Sequence, residues 1–219
     1  MSASPGEAAA GHAIYTKRVL GIYDVLVLGL SNRLIWKCPT PRLLDHYNRH
    51  VTANHLDVGV GTGYFLDRCR FPSIAPRVGL MDLNQNALDF ASHRIARYKP
   101  ETYLRNVLEP ISIDARRFDS VGINYLIHCL PGGMESKAVC FDHLKALMNE
   151  NAVLFGSTLL QAGVAHNWPA RRLMDFYNGK GIFSNRNDDL AGLRHALDQR
   201  FRSVSIEIVG CAALFSARV

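Results

Sequence analysis

The sequence predicts an α/β protein: a three-layer sandwich on a seven-stranded, mostly parallel sheet with a C-terminal antiparallel hairpin, preceded by an N-terminal helical lid. Three observations predict it. A short apolar strand, His55-Leu-Asp-Val58, runs into Gly59-Val-Gly-Thr-Gly63 and then into a helical start at Tyr64. Nineteen residues beyond Gly63, a second apolar run, Arg77 to Asp82, also ends in an acid. Finally, Phe201 to Val209 and Ala212 to Val219 read as strands joined only by Gly210 and Cys211. That link is too short for a parallel crossover, so the two must pair antiparallel.

The elements follow in order. Residues 1–12 are small and polar, with neither a basic leader nor an apolar stretch, and read as a flexible N-terminus rather than a signal peptide. Residues 13–53 read as a helical lid or substrate segment. Val19 to Ile35 is apolar, but Asp24 and Arg33 interrupt it, and the uncharged run Val25 to Ser31 is far short of the roughly 20 residues that span a bilayer. An amphipathic helix and no membrane span are expected. Residues 54–219 form the core. After the glycine loop, Tyr64 to Cys69 begins a helix, and Asn84 caps another with Leu88, Ala91, Ile95 and Tyr98 on one face. Glu101 to Leu108 reads as the third strand. Asp119 to Leu130 is the fourth, nearly all apolar as befits a strand buried on both faces. A helical pattern covers Ser136 to Met148, a fifth strand Ala152 to Leu160, and two further helical patterns lie between Asn167 and Arg200.

Composition bounds the function. The 219 residues, 48% of them hydrophobic, suffice for one core. Five cysteines without C-x-x-C spacing signal neither a disulfide framework nor a zinc site, so a reducing cytoplasm and no metal are expected. The net charge of +6 is scattered. Arg116-Arg117 and Arg171-Arg172 are the only adjacent arginine pairs, and neither is interleaved with stacking aromatics, so no nucleic-acid partner is expected.

The glycine loop carries the chemistry. Gly59, Gly61 and Gly63 leave bare backbone where a ligand would lie. The dinucleotide fingerprint G-x-G-x-x-G/A fails in both registers, because its sixth position is Tyr64 or Leu66. Asp57, just ahead of the loop, would repel a pyrophosphate but attract an ammonium. Asp82, at the tip of the second strand, suits ribose hydroxyls and so an adenosine-type ligand.

With these motifs and the hairpin ending, residues 54–219 resemble a class I S-adenosylmethionine-dependent methyltransferase. The resemblance implies that S-adenosyl-L-methionine is the cofactor and S-adenosyl-L-homocysteine the product. It implies further that Asp57, Gly59, Gly61 and Gly63 hold the methionine end, Asp82 and Leu83 the ribose and adenine, and Asn106 and Val107 the adenine edge.

Methyl transfer from a sulfonium needs collinear positioning and exclusion of water, and a base only where the acceptor is not already ionised. His128, read at the carboxyl end of the fourth strand where open α/β sheets bind ligands, is either that base or a packed histidine bonded to backbone. Tyr125 and Asn124 share this end and could orient acceptor or cofactor. Tyr15, Tyr23, Trp36, Tyr47, Trp168 and Tyr177 are candidates for an aromatic wall over an apolar substrate. No Asp-Pro-Pro-Tyr or Asn-Pro-Pro-Tyr tetrapeptide follows the fourth strand, which disfavours amino methylation. The expected function is therefore methylation, favouring oxygen, of a small organic acceptor. The alternatives are a methyltransferase fold with another or no activity, and a nicotinamide-dependent oxidoreductase. The apolar N-terminal helix suits a lid or a homodimer contact.

Overall fold

The computed structural model describes residues 24–219. Asp24–Ile35 is wound as a π-helix. The elements that follow are α1 (Thr40–His50), β1 (Asn54–Val58), α2 (Tyr64–Arg68), β2 (Arg77–Asp82), α3 (Gln85–Arg94), β3 (Glu101–Leu104) and β4 (Phe118–Asn124). Then come α4 (Met134–Lys137), α5 (Val139–Lys145), β5 (Met148–Leu159), α6 (Trp168–Gly179), α7 (Leu190–Asp198), β6 (Ser203–Val209) and β7 (Ala212–Arg218). Side chains stop the chain from choosing other helix starts. Asn84, Asn167 and Asp189 each accept a backbone N–H of the first turn of α3, α6 and α7.

The seven strands lie in the order β3-β2-β1-β4-β5-β7-β6. β7 runs antiparallel to both neighbours, and every other adjacent pair is parallel, so one strand of seven is reversed. Strand order reverses between β1 and β4, which places the ligand crevice of such a sheet at their carboxyl ends. One face is covered by α1, α2 and α3, whose Tyr47, Leu66, Leu88 and Ala91 meet Leu80 and Phe155. The other is covered by α4, α5 and α7, whose Met134, Phe141, Leu144 and Leu193 meet Leu56, Val121 and Phe215. α1 belongs to this sandwich although it falls in the segment read as a lid: buried His46 donates from Nε2 to the carbonyl of Phe215 in β7 at 2.9 Å.

The expected bounds of β3, β4, the Ser136 to Met148 helix and β5 are corrected. β3 stops at Leu104, whose pairing with Asp82 is closed by the Arg105 N–H on the Asp82 carbonyl at 3.0 Å, the last bond of that ladder. The crossover from β3 to β4 contains no helix; residues 105–117 are turns, pinned where His143 Nδ1 donates to the Val107 carbonyl at 2.9 Å. β4 ends at Asn124 and not Leu130, since Tyr125 takes a positive φ of 56° and the chain then coils into a 3-10 turn at Ile127–Cys129. The helix expected over Ser136 to Met148 is two short helices, and β5 begins already at Met148.

Candidate functional site

The glycine loop is built from left-handed backbone. Gly59, Gly61 and Gly63 have φ of 69°, 52° and 71°, values that side chains rarely tolerate. Gly59 anchors the loop by donating to the Met81 carbonyl at 2.8 Å, and Gly63 closes it on Val60 at 2.8 Å. Across the loop, the Asp82 carboxylate receives the N–H of Asn84 at 2.9 Å, and the amides of Gly61, Val60 and Leu83 also face it. Burial raises its pKa, and these backbone donors oppose the rise. Asp82 thus ties the loop to the tip of β2, with Leu83 exposed beside it.

The residues present fit a polar nucleoside ligand here. A Cβ built on Gly61 would meet no atom within 4 Å, so the loop opens outward at that position. At the ends of β2 and β4, Asn84 Nδ2 and Asn124 Nδ2 are buried amide donors with no acceptor among the described residues. Leaving such donors unmatched is costly, and an incoming acceptor relieves it. The Asn124 amide is oriented from its other end, where its Oδ1 accepts from Ser157 Oγ at 3.0 Å.

Asp57 is almost wholly buried at the end of β1 and is held from the helix layer. Tyr47 of α1 donates its hydroxyl to Asp57 Oδ1 at 3.0 Å. His55, two residues back on the same face of β1, reaches the same hydroxyl through Nε2 at 2.8 Å and meets Ser120 Oγ through Nδ1 at 2.8 Å. Tyr47 was read as a wall aromatic. It is fully buried, stacked on Phe65 at 5.6 Å and edge-on to Phe155 at 5.1 Å, and so lies under the site.

Beyond β4 an aromatic cluster forms. Tyr125, in the left-handed conformation, donates its N–H to the Ser157 carbonyl at 2.8 Å and its hydroxyl to Asn32 Oδ1 at 3.1 Å. His128 sits in the 3-10 turn, not on the strand, and is 3% exposed. Its Nδ1 accepts the N–H of Leu159 at 3.2 Å and lies 3.3 Å from Thr158 Oγ1, which assigns the ring proton to Nε2. Burial, and then the charge of Lys137, pull its pKa down to about 3. Phe183 meets the ring edge-on at 4.5 Å, with Tyr177 4.8 Å and Trp36 6.3 Å from Phe183.

The other expected site residues are dispersed. Trp36 is 2% exposed within this cluster, whereas Trp168 is 66% exposed at the start of α6 with Arg172 over its ring. Asn106 accepts the N–H of Leu108 and donates to Glu109, and Val107 is buried. Tyr15 and Tyr23 lie outside the described residues. Sequence reasoning missed Asn32, His55 and Phe183, which reach the site through partners far along the chain, Tyr125, Ser120 and His128 respectively. No helix among the described residues is long and apolar enough to cross a membrane, and no group of three or more His, Cys, Asp or Glu among them could hold a metal ion.

Comparison with known proteins agrees with this geometry. A family described as a methyltransferase domain matches residues 56–154. The chain is 38% identical to demethylluteothin O-methyltransferase of Streptomyces thioluteus, over 94% of this chain and 90% of that one. It is also 38% identical to the physcion biosynthesis cluster O-methyltransferase of Aspergillus chevalieri, over 94% of both. Among solved structures, the DhpI–SAH complex superposes with a TM-score of 0.71 at 14% identity, covering 99% of this chain and 98% of that one.

Proposed function

Because the chain belongs to the class I S-adenosylmethionine-dependent methyltransferases, we propose that it methylates the oxygen of a small planar acceptor whose hydroxyl, an enol or acidic phenol, is already ionised near neutral pH. The observation that carries this reading is the state of His128. Burial and the charge of Lys137 keep the His128 ring neutral and a poor proton acceptor at pH 7, which favours an acceptor that brings its own acidity.

When bound, the cofactor supplies a methyl group on a sulfonium that is already electrophilic. The protein's task is to align and to keep water out. In this reading Asp57 holds the ammonium of the methionine end, and Gly59, Gly61 and Gly63 let the backbone approach it. Asp82 and Leu83 hold ribose and adenine, and Asn106 and Val107 flank the adenine edge. Asn124 Nδ2 offers its unmatched N–H beside the reacting centre. His128 and Tyr125 act as orienting groups, with Nε2–H of His128 as a donor to the acceptor. Phe183 supplies the apolar wall for a flat ring with Trp36 packed behind it, and Trp168, Tyr15 and Tyr23 are the remaining candidates for contact with the acceptor.

Of the segment read as a lid, α1 packs into the sandwich, so a lid role falls to the stretch ahead of it, where exposed Leu30 and Leu34 suit a contact with the acceptor or with a second copy. All five cysteines are free thiols, which suits a cytoplasmic enzyme. The partner is a small molecule and not a nucleic acid.

Incubation with methyl-labelled cofactor and a panel of hydroxylated aromatic and enolic acceptors graded in acidity tests the reading. Methoxy products confined to the acidic members are expected. Label on amines, or on unactivated alcohols alone, would overturn it.

A further inference from the structure

A chain of buried hydrogen bonds runs from the floor of the sheet to Asp57. Ser120 Oγ accepts the backbone N–H of Thr52 at 3.0 Å and lies 2.8 Å from His55 Nδ1. His55 Nε2 lies 2.8 Å from the Tyr47 hydroxyl, which in turn donates to Asp57 Oδ1 at 3.0 Å. Ser120, His55 and Tyr47 are all 0% exposed. An ionised carboxylate can only accept, so it fixes the direction of the chain at Tyr47 and at His55 Nε2. Tyr47 gives its proton to Asp57 and His55 gives its Nε2 proton to Tyr47, which leaves Nδ1 of a neutral ring to accept from Ser120, whose Oγ also meets Thr52 Oγ1 at 2.9 Å. Burial, and then the carboxylate itself, push the Tyr47 phenol well above its ordinary pKa, so it remains a donor.

A second observation points to the same carboxylate. Gly122 of β4 faces it, and a Cβ there would stand 2.9 Å from Asp57 Oδ1 and 3.1 Å from His55 Cε1. The neighbouring strand therefore leaves out a side chain where the Asp57 and His55 side chains lie.

We propose that Tyr47, oriented by His55 and Ser120, is a positioning residue for the cofactor: its hydroxyl fixes the Asp57 carboxylate in the attitude that receives the ammonium of S-adenosylmethionine. This inference rests on the reading of Asp57 as the ligand of the methionine end. Tyr47 itself touches no substrate. It spares the carboxylate the reorganisation that a freely rotating side chain would undergo on binding, and it leaves Oδ2 for the ligand.

Calorimetry with two probes tests it. S-adenosylhomocysteine carries the ammonium, whereas 5′-methylthioadenosine lacks the amino-acid end altogether. Tyr47→Phe keeps the ring against Phe65 and Phe155 and deletes one donor. It should weaken S-adenosylhomocysteine roughly tenfold, the scale of one hydrogen bond to a charged group, and leave methylthioadenosine unchanged. Asp57→Asn should show the same selectivity, and the double variant should lose no more than Asp57→Asn alone. Equal loss of both probes, no loss of either, or strict additivity overturns the inference. Should Tyr47→Phe not fold, Ser120→Ala decides by the same ratio, with a smaller selective loss expected. Wild-type protein that binds neither probe would instead overturn the reading of Asp57 on which this one stands.

Discussion

Lys137 Nζ lies 2.6 Å from Asp188 Oδ2, and neither side chain has any exposed surface. The same ammonium donates to the Ser184 carbonyl at 2.6 Å, and the N–H of Ser184 is given to the carbonyl of His128 at 2.8 Å. The pair therefore clasps residues 184–188 onto α4 and holds Phe183, just ahead of them, against the ring of His128.

Because both charges are desolvated, removing one leaves the other stranded. Lys137→Met should cost about 3–5 kcal/mol of unfolding free energy, and Lys137→Met with Asp188→Leu much less, since a buried pair is often replaceable by apolar groups. Asp188 Oδ1, already without a partner among the described residues, increases the gain from the double replacement. Urea unfolding of the three proteins measures this, and a double variant as unstable as the single one would refute it.

Gly61 separates folding from binding. A side chain there meets no neighbour but forces an L-residue to φ 52°, so Gly61→Ala should lose only about 1–2 kcal/mol of stability. Its methyl would project from the open side of the loop, and cofactor affinity should fall by more than the stability does. Gly59→Ala, whose Cβ would stand 2.9 Å from Leu126, should lose stability first. Thermal unfolding alongside cofactor calorimetry distinguishes the two outcomes.

The sequence made legible whatever depends on local order. The strand, glycine loop and helix from His55 to Leu66, the acid at Asp82 and the two-residue hairpin each carry their signal within a few residues. Where β4 ends was not legible. The run Val121 to Leu130 is apolar almost throughout, and a buried turn needs apolar residues as much as a buried strand does. The left-handed turn at Tyr125 takes the chain out of the sheet, and its hydrogen bond to Ser157 in the neighbouring strand marks the last bond of the ladder. The support of Asp57 was hidden for a related reason. His55 reads as one more strand residue until Ser120, 65 positions away, is placed beside it.

Stability should fall in mild acid. His46 and His128 are buried and their folded pKa values are lowered from 6.5, mainly by desolvation. The unfolded chain takes up protons at about 6.5 while the folded one refuses them, so stability is full above that pH. It declines below it at up to about 1.4 kcal/mol per pH unit for each histidine. For His128 the decline continues to about pH 3. The unfolding midpoint in urea, followed from pH 7.5 to 5, should drop, and His128→Asn should flatten the drop. An unchanged slope in the variant would show that His128 does not contribute.

The pH profile of catalysis separates an orienting histidine from a base. Nδ1 of His128 is occupied by the Leu159 N–H, and the ring is neutral through the whole working range, so the enzyme contributes no ionisation at this position near pH 7. The rising limb of kcat/KM should then follow the hydroxyl pKa of the acceptor and shift when a more acidic analogue is used. His128→Asn should leave the position of that limb unchanged while lowering kcat/KM about three- to tenfold, the scale of one neutral hydrogen bond. A limb that stays fixed across acceptors and vanishes in the variant would instead make His128 the proton acceptor. That outcome would require the ring to be freed from Leu159 and rehydrated when the acceptor binds, because only then could its pKa return toward 6.5.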